Sequence, residues 1–368
     1  MLNITNILCN LEVYIFCFEN IFVKAKIKGE SMLKKLGKQT AWLSNKPRFI
    51  SNYSVVGPKE GRGPMGSYFD EVLKDDKLGQ QTFEKAEQKL MEKCAFGAIR
   101  KSGLNASDID MMLSGDLLNQ IISSTFTARQ FDTTFIGLFG ACSTMTESIA
   151  LASCLVDGGY VKNVLCATCS HFASAERQFR NPLELGTQRP PTSQWTVTGA
   201  GACVLSLDDD KNLPYVECVT FGKVTDFGVA DVNNMGAAMA PAAMETLRAH
   251  FTETGRTPND YDYIFTGDLG KLGSEILIDL MEHKGIKLGV NYCDCGNMMF
   301  DIEQKTLMGA SGCGCSASIL NSFVMEKFRK KEISRVLFLS TGALLSTLSV
   351  QQGETIPSIA HAISIRRD

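Results

Sequence analysis

The stretch Gly103-Leu-Asn-Ala-Ser-Asp-Ile-Asp-Met-Met-Leu-Ser-Gly-Asp-Leu117 returns later in the chain as Gly255-Arg-Thr-Pro-Asn-Asp-Tyr-Asp-Tyr-Ile-Phe-Thr-Gly-Asp-Leu269. Each copy follows an amphipathic, helix-like stretch, and its first glycine is typical of a helix end. The apolar residues in the middle predict a buried strand. We therefore expect a duplicated unit of helix, glycine turn, strand and Gly-Asp. At a constant offset the copies share Gly103/Gly255, Asp108/Asp260, Asp110/Asp262, Gly115/Gly267, Asp116/Asp268 and Leu117/Leu269.

The correspondence continues downstream in the same order. A helix of small residues begins at Gly140-Ala-Cys-Ser143 and another at 309–317, and each leads to an apolar strand. Helices that alternate with buried strands predict mostly parallel sheets covered on both faces. The fold class is therefore predicted as α/β, with two duplicated halves about a pseudo-twofold axis. The acidic run 208–210 marks their boundary, which gives halves at 32–210 and 211–368. The alternative is two unrelated α/β domains with coincidental turns.

Composition excludes several function classes. Of 368 residues, 44% are apolar and 21% charged, and 37 Lys and Arg stand against 40 Asp and Glu. Neither a disordered chain nor a surface for polyanions is indicated, so no nucleic-acid partner is expected. The 13 cysteines are odd in number, and several lie in apolar runs. This pattern favours reduced thiols over a disulfide framework.

The first thirty residues resemble a membrane segment only superficially. Glu12, Glu19 and Asn20 interrupt the apolar stretch 11–23, so no transmembrane segment is predicted. A secretory signal should begin with basic residues, which are missing here before Lys24. The codons for 28–30 can spell a purine-rich ribosome-binding site just ahead of Met32. We therefore expect residues 1–31 to be a mistranslated leader or a disordered extension.

A cysteine at the start of a buried helix in the first half of a duplicated α/β chain resembles the thiolase and ketoacyl synthase superfamily, with 139–144 as the nucleophile motif. More closely, the chain from about Lys34 onward is similar to the stage V sporulation protein AD family. The matching words are Gly37-Lys-Gln-Thr40, Val56-Gly-Pro-Lys-Glu60, Gly115-Asp-Leu-Leu-Asn-Gln120, Leu138-Phe-Gly-Ala-Cys-Ser-Thr144, Ala175-Glu-Arg-Gln-Phe-Arg180, Met239-Ala-Pro-Ala-Ala243, Ser311-Gly-Cys-Gly-Cys-Ser-Ala317 and Thr341-Gly-Ala-Leu-Leu-Ser346.

The resemblance implies a thiolase-like, five-layered αβαβα fold and a role in sporulation. It implies binding of dipicolinic acid, free or as its calcium chelate, for uptake into the developing spore. The implied partners are the other stage V sporulation A membrane proteins, which form a channel complex, and a second copy of the chain in a homodimer. The implied location is soluble or peripheral at the spore inner membrane, and no cofactor is implied.

Cys142 lies where a loop becomes a helix. Unpaired amides and the helix dipole there predict a lowered pKa for the thiol, which suits a nucleophile or a group that faces an anion. The alternative is a small residue at which two helices cross closely. The resemblance favours a cysteine that lines a pocket without catalysing a reaction.

The second half lacks the residues that condensation needs. Thiolase-type condensation uses a His, or a His and Asn pair, beside the cysteine to stabilise developing charge. The two segments where the family places them, 266–269 and 309–315, contain neither. Among the four histidines, His250 and His283 are expected at exposed helix ends, and His361 either lines the pocket or is buried in the core. A non-catalytic protein is predicted; the alternative is an acyl-CoA or acyl-carrier condensing enzyme that uses Cys142.

The richest segment for binding a ligand is 170–180 together with 188–195, expected at the mouth of the pocket. Arg177 and Arg180 would share one face of a helix, where guanidinium groups suit carboxylates. His171 and Trp195 would complement an aromatic dicarboxylate. The alternative is that the arginines form intramolecular pairs with Glu176 and Glu184.

Metal binding is not predicted, although 166–169, 293–295 and 313–315 have closely spaced cysteines. Structural zinc usually needs paired CxxC turns. Asp116 and Asp268, which follow equivalent strands, are expected to cap helices or to hold the backbone near the pocket.

Overall fold

A computed structural model describes residues 34–179 and 189–368. The expectation about a leader at residues 1–31 lies outside these described residues, as does the expected role of Arg180.

Strands and short connections alternate with helices along the whole described chain. The strands are β1 (Thr40–Trp42), β2 (Arg48–Val56), β3 (Glu71–Val72), β4 (Met111–Asp116), β5 (Thr134–Gly137), β6 (Val164–Ser170), β7 (Trp195–Thr196), β8 (Gly199–Ser206), β9 (Tyr215–Thr220), β10 (Tyr263–Thr266), β11 (Tyr292–Asp294), β12 (Ala310–Ser311), β13 (Arg335–Ala343) and β14 (Ser358–Arg366). The helices are α1 (Pro58–Gly61), α2 (Phe83–Ser102), α3 (Ile122–Ala128), α4 (Thr144–Asp157), α5 (Phe172–Phe179), α6 (Met235–Thr254), α7 (Gly270–His283), α8 (Cys295–Met298), α9 (Cys313–Ile319), α10 (Met325–Arg329) and α11 (Thr347–Gln351).

The sheet repeats the duplication of the sequence. Its first half has the order β5-β4-β6-β8-β2 and its second half the order β11-β10-β13-β14-β9. In each half the first three strands are parallel, and the last two join antiparallel. The predicted α/β class with two related halves is therefore confirmed.

The repeated residues have equivalent roles in the two halves. Gly103 and Gly255 end α2 and α6 with φ values of 77° and 66°, in the left-handed region that glycine adopts most easily. Asp110 accepts hydrogen bonds from the backbone N–H groups of residues 162 and 163, and Asp262 does the same for residues 334 and 335. Each aspartate thus fixes the start of the neighbouring strand, which explains why both copies carry it.

Helices cover both faces of each half and also fill the space between them. On the outside, α2 and α3 pack on the first half, whereas α6 and α7 belong to the second, with α6 packed on β13 and β14. Between the halves lie α4 and α9, and α4 contacts strands of both. Three buried apolar clusters occupy the interfaces between these layers. The arrangement gives the five layers that the family resemblance implies.

Candidate functional site

A cavity of about 870 Å³ opens where the two halves meet. Its wall comes from the loop after β4, the turn before α4, the end of α5, the start of α6 and the loop after β13. Apolar side chains dominate the wall, and amides and hydroxyls interrupt them. The lining residues are Asp116, Leu117, Leu118, Asn119, Gln120, Ile121, Phe139, Ala141, Cys142, Ala175, Gln178, Phe179, Thr196, Val232, Met235, Met239, Ser311 and residues 343–349.

Cys142 forms part of this wall from a single 3₁₀ turn, Ala141–Ser143, that leads into α4. The side chain is 8% exposed, so it reaches the cavity from an otherwise buried position. Ala141 has a φ of 49°, a left-handed conformation that is uncommon for a residue with a Cβ. The sequence therefore identified the position of Cys142 correctly, at the junction of a loop and a helix.

The predicted lowering of the Cys142 pKa is wrong. The neighbouring Cys313 thiol, burial and the Asp268 carboxyl raise the pKa of Cys142 well above its usual range. Cys313 begins α9, and its thiol donates to the carbonyl oxygen of Ala141 at 3.0 Å. A short turn at a helix start cannot offset burial and an acidic neighbour. Cys142 is thus held as a neutral thiol.

Asp268 reaches the same place from the second half. Its Oδ2 accepts the N–H of Gly312 at 2.9 Å, and its Oδ1 accepts the hydroxyl of Thr341 at 3.1 Å. Burial raises the pKa of Asp268 to about 7, against the opposing effect of these hydrogen bonds. The carboxyl holds the backbone ahead of α9, as the sequence suggested, and it also interacts with Cys142.

Asp116 is the counterpart of Asp268 in the first half. Its Oδ2 accepts the N–H and the hydroxyl of Ser124, at 2.7 and 2.6 Å, and its Oδ1 accepts the N–H of Leu118 at 3.0 Å. These bonds hold the loop after β4, in which Gln120 and Ile121 both have positive φ. Burial raises the pKa of Asp116. The carboxyl therefore shapes the wall of the cavity that it lines.

Sequence reasoning missed Asp268 and Cys313 as neighbours of the cysteine. Both lie in the two segments where a condensing enzyme would carry His or Asn. The position of Asp268 and Cys313 in these two segments was the signal by which the sequence could have identified them. The contact itself joins residues that are far apart in the chain, and local patterns do not reveal it.

His171 and Trp195 are not among the residues that line the cavity. Trp195 stacks on Phe172 with ring centroids 3.9 Å apart, and the Lys59 ammonium lies 4.1 Å from its ring centre. His171 is buried; its Nε2 contacts the carbonyl oxygen of Asp76 at 2.7 Å, and burial lowers its pKa. These aromatic groups pack the base of α5.

Arg177 is also outside the cavity lining. It forms an ion pair with Glu84 on α2, and its side chain is 42% exposed. This is the intramolecular pairing that the sequence left open, with a different acidic partner from those considered. The expected joint placement of Arg177 and Arg180 has no counterpart in the described residues, because Arg180 lies outside them.

The histidines of the second half are mostly buried. His361 on β14 accepts the N–H of Gly222 at 3.2 Å, and burial lowers its pKa to about 4. The expectation that His250 is exposed is wrong, since it contacts the hydroxyls of Thr220 and Tyr261 at 2.8 and 2.6 Å inside the core. His250 lies on the face of α6 that packs against the sheet. The polar residues near it in the sequence had led to the expectation of an exposed side chain. His283 is exposed, as expected.

Across residues 34–179 and 189–368, no group of three His, Cys, Asp or Glu side chains is placed to hold a metal ion. Within the same residues, no helix combines the length and the apolar character needed to cross a membrane.

The fold of the chain is thiolase-like. A variant of OleA from Xanthomonas campestris matches with a TM-score of 0.56 and 11% identity, over 90% of this chain and 100% of that one. The 3-oxoacyl-[acyl-carrier-protein] synthase III of Aquifex aeolicus VF5 matches with a TM-score of 0.51 and 12% identity, over 87% of this chain and 99% of that one. At such low identity the likeness shows the fold alone.

The chain belongs to the Stage V sporulation protein AD (SpoVAD) family, whose profile matches residues 37–366. The Stage V sporulation protein AD of Bacillus subtilis (strain 168) is 44% identical over 336 residues, which are 91% of this chain and 98% of that protein. The family resemblance stated from the sequence is thereby confirmed.

Proposed function

We propose that this protein binds dipicolinic acid without catalysing a reaction, and that it serves uptake of dipicolinate into the developing spore. One observation carries the non-catalytic part. The Cys142 thiol meets a second thiol and a carboxyl of raised pKa, Cys313 and Asp268, which disfavour its ionisation. A thiolate is the nucleophilic form of cysteine, so this environment opposes acyl transfer.

The cavity beside Cys142 supports the binding part of the proposal. Its largely apolar wall suits the faces of an aromatic ring, and burial of the ring favours binding. Amides and hydroxyls on the wall can donate hydrogen bonds to carboxylates. The lining groups of this kind include Asn119, Gln120, Thr196 and Ser311.

The family supports the remaining parts of the proposal. The protein acts with the other stage V sporulation A membrane proteins, which form the channel, and lies peripherally at the spore inner membrane. It takes dipicolinate free or as the calcium chelate. It works as a homodimer, which is supported by the edge of the sheet at β5, where Thr134 and Ile136 are exposed.

Parallel calorimetric titrations with dipicolinate and acetyl-CoA test the proposal. We expect micromolar or weaker binding of dipicolinate, with neither binding nor turnover of acetyl-CoA. The variant Gln120→Glu, which adds a negative charge to the cavity wall, should weaken dipicolinate binding. Gln130→Glu, an exposed change away from the cavity, is the matched control. Undetectable dipicolinate binding at millimolar ligand would remove the proposed function, and turnover abolished by Cys142→Ala would establish the condensing enzyme instead.

A further inference from the structure

The wall of the cavity carries acidic groups and no cation among the residues that the structure describes. Its ionisable side chains are Asp116 and Cys142. Asp268 lies one side chain behind the wall, where it interacts with the Cys142 thiol. Among the described residues, the fixed charges at and behind the wall therefore have the same sign as a ligand with two carboxylates.

The groups around Asp268 provide no positive charge either. The turn before α4 contributes Cys142, and the start of α9 contributes the N–H of Gly312. The strand β13 contributes the hydroxyl of Thr341, and the end of β11 contributes Asp294. Cys295 on α8 and Cys315 on α9 also lie within its electrostatic range. All these neighbours are acids, thiols or neutral donors, so an ionised Asp268 keeps its full negative charge beside the cavity.

We infer that Asp268 determines the charge of the ligand that the cavity accepts: a dicarboxylate binds when Asp268 carries a proton, and binding is thereby coupled to proton uptake. The inference rests on the proposed function and adds a specificity-determining residue to it. Asp268 acts on the ligand through its negative charge. This charge lies behind the cavity wall, on the far side of the Cys142 thiol.

The physical argument is one of like charges in a poorly solvated space. Two anionic groups that share a buried site disfavour each other's ionised forms, so the ligand raises the proton affinity of the nearby carboxyl. Burial already raises the pKa of Asp268 to about 7, which places its titration in the range where a cell can control it. Carboxyl groups of ordinary acidity are fully ionised at that pH. The proton taken up on binding is therefore held by Asp268 and not by a carboxylate of the ligand.

Calorimetry from pH 6 to pH 8.5 tests the coupling with dipicolinate as the ligand. For one coupled proton, the Kd should rise about tenfold per pH unit above the titration midpoint of Asp268. Titrations in buffers of different ionisation enthalpy count the protons taken up, and the number should approach one at high pH. The neutral diamide of the same pyridine ring is the matched control ligand, and its affinity should not change with pH.

Two substitutions assign the effect to Asp268. Asp268→Asn preserves the shape of the side chain, and its dipicolinate affinity should be independent of pH, with tighter binding than the unmodified protein at pH 8.5. Thr341→Val removes a hydrogen bond that stabilises the carboxylate, so it should move the midpoint of the pH profile upward. This second variant carries the test if Asp268→Asn does not fold.

The outcomes separate this inference from the proposed function. Dipicolinate binding with the same Kd at pH 6 and pH 8.5, or a pH slope that persists in Asp268→Asn, would overturn the coupling and leave the binding function intact. Absence of dipicolinate binding at every pH would overturn the binding function itself. A pH slope with proton uptake in the unmodified protein, which is lost in Asp268→Asn, supports both.

Discussion

Gly342 on β13 lies directly against the carbonyl oxygen of Gly140, two residues before Cys142. A Cβ atom on Gly342 would overlap this oxygen, so the absence of a side chain lets the second half approach the turn that carries the cysteine. The close approach joins a strand and a turn, whereas the alternative considered from the sequence was a crossing of two helices. The turn and the strand therefore depend on each other for their positions.

The variant Gly342→Ala should destabilise the protein, because the methyl group has no space beside the Gly140 carbonyl. Overpacking of a well-filled interior costs about 1–3 kcal/mol. Urea denaturation measures the change in unfolding free energy. The control Gly289→Ala meets only the end of the flexible Asn291 side chain and should lie within about 0.5 kcal/mol of the unmodified protein. Equal stability of the two variants would show that the contact is loose.

Cys142 should react slowly with iodoacetamide at pH 7.5, because its raised pKa leaves little thiolate. Mass spectrometry of the peptide that contains Cys142 follows the alkylation. The rate should stay well below that of free cysteine and should increase toward pH 10. Asp268→Asn removes one acidic neighbour, so it should accelerate the reaction at pH 7.5. A rate equal to that of free cysteine would contradict a protonated thiol.

The architecture could be predicted from sequence because its signals are local and repeated. The helix ends at Gly103 and Gly255 and the buried strands after them are encoded within about fifteen residues of chain in each copy, and the duplication doubles the evidence. The correspondence between the two halves then constrains the strand order. Sequence patterns at this scale report on backbone conformation and burial.

The environment of the site could not be predicted in the same way. The pKa of Cys142 depends on Cys313, and the pairing of Arg177 depends on Glu84, both distant in sequence. His250 appeared exposed because its neighbours along the helix are polar, yet its partners Thr220 and Tyr261 come from other elements. Electrostatic and packing partners of this kind are fixed by the tertiary fold.

Arg177 and Arg180 are the two arginines that the sequence predicted to bind the ligand, and we expect their Ala variants to differ in dipicolinate binding. Arg177→Ala breaks a surface ion pair with Glu84, so dipicolinate binding should be unchanged and the unfolding free energy should fall by at most about 1 kcal/mol. Arg180→Ala should reduce the affinity for dipicolinate about tenfold to a hundredfold, because a hydrogen bond to a charged group would be lost. Calorimetry and urea denaturation measure the two effects. Weaker binding in Arg177→Ala would mean that Arg177 leaves Glu84 when the ligand enters.

Glu60 should make the protein less stable as the pH rises toward neutrality. Its side chain is buried and accepts the N–H of Thr198 at 3.0 Å, and burial raises its pKa to about 7. In the unfolded chain a glutamate has a pKa of about 4.3. Between these values the folded state holds a proton that the unfolded state has released, so unfolding free energy falls with rising pH, by at most about 1.4 kcal/mol per unit.

The variant Glu60→Gln should remove this contribution. Thermal melting of both proteins between pH 4.5 and pH 8 measures it as a difference, and the variant should gain stability relative to the unmodified protein as the pH rises. His250 and His361, whose lowered pKa values act in the opposite direction below pH 6.5, are present in both proteins and cancel in the comparison. A constant difference across the range would show that Glu60 is ionised in the folded state throughout.

The edge strand β5 should form the interface of the proposed homodimer. It pairs with β4 on one side, and its other side has no strand partner in the described residues. Ile136 is 41% exposed on this edge, and Phe139, which lines the cavity, is 64% exposed just beyond it. An open strand with apolar side chains is a template for pairing with another chain, and a charged side chain on such an edge prevents it.

Ile136→Lys should therefore convert the dimer to a monomer in light scattering coupled to size-exclusion chromatography. The control Ile302→Lys, at an apolar side chain that is 94% exposed elsewhere, should remain dimeric. Because Phe139 contributes to the cavity wall beside this edge, the monomeric variant should also bind dipicolinate more weakly, and a dimer that survives Ile136→Lys would place the interface on another surface.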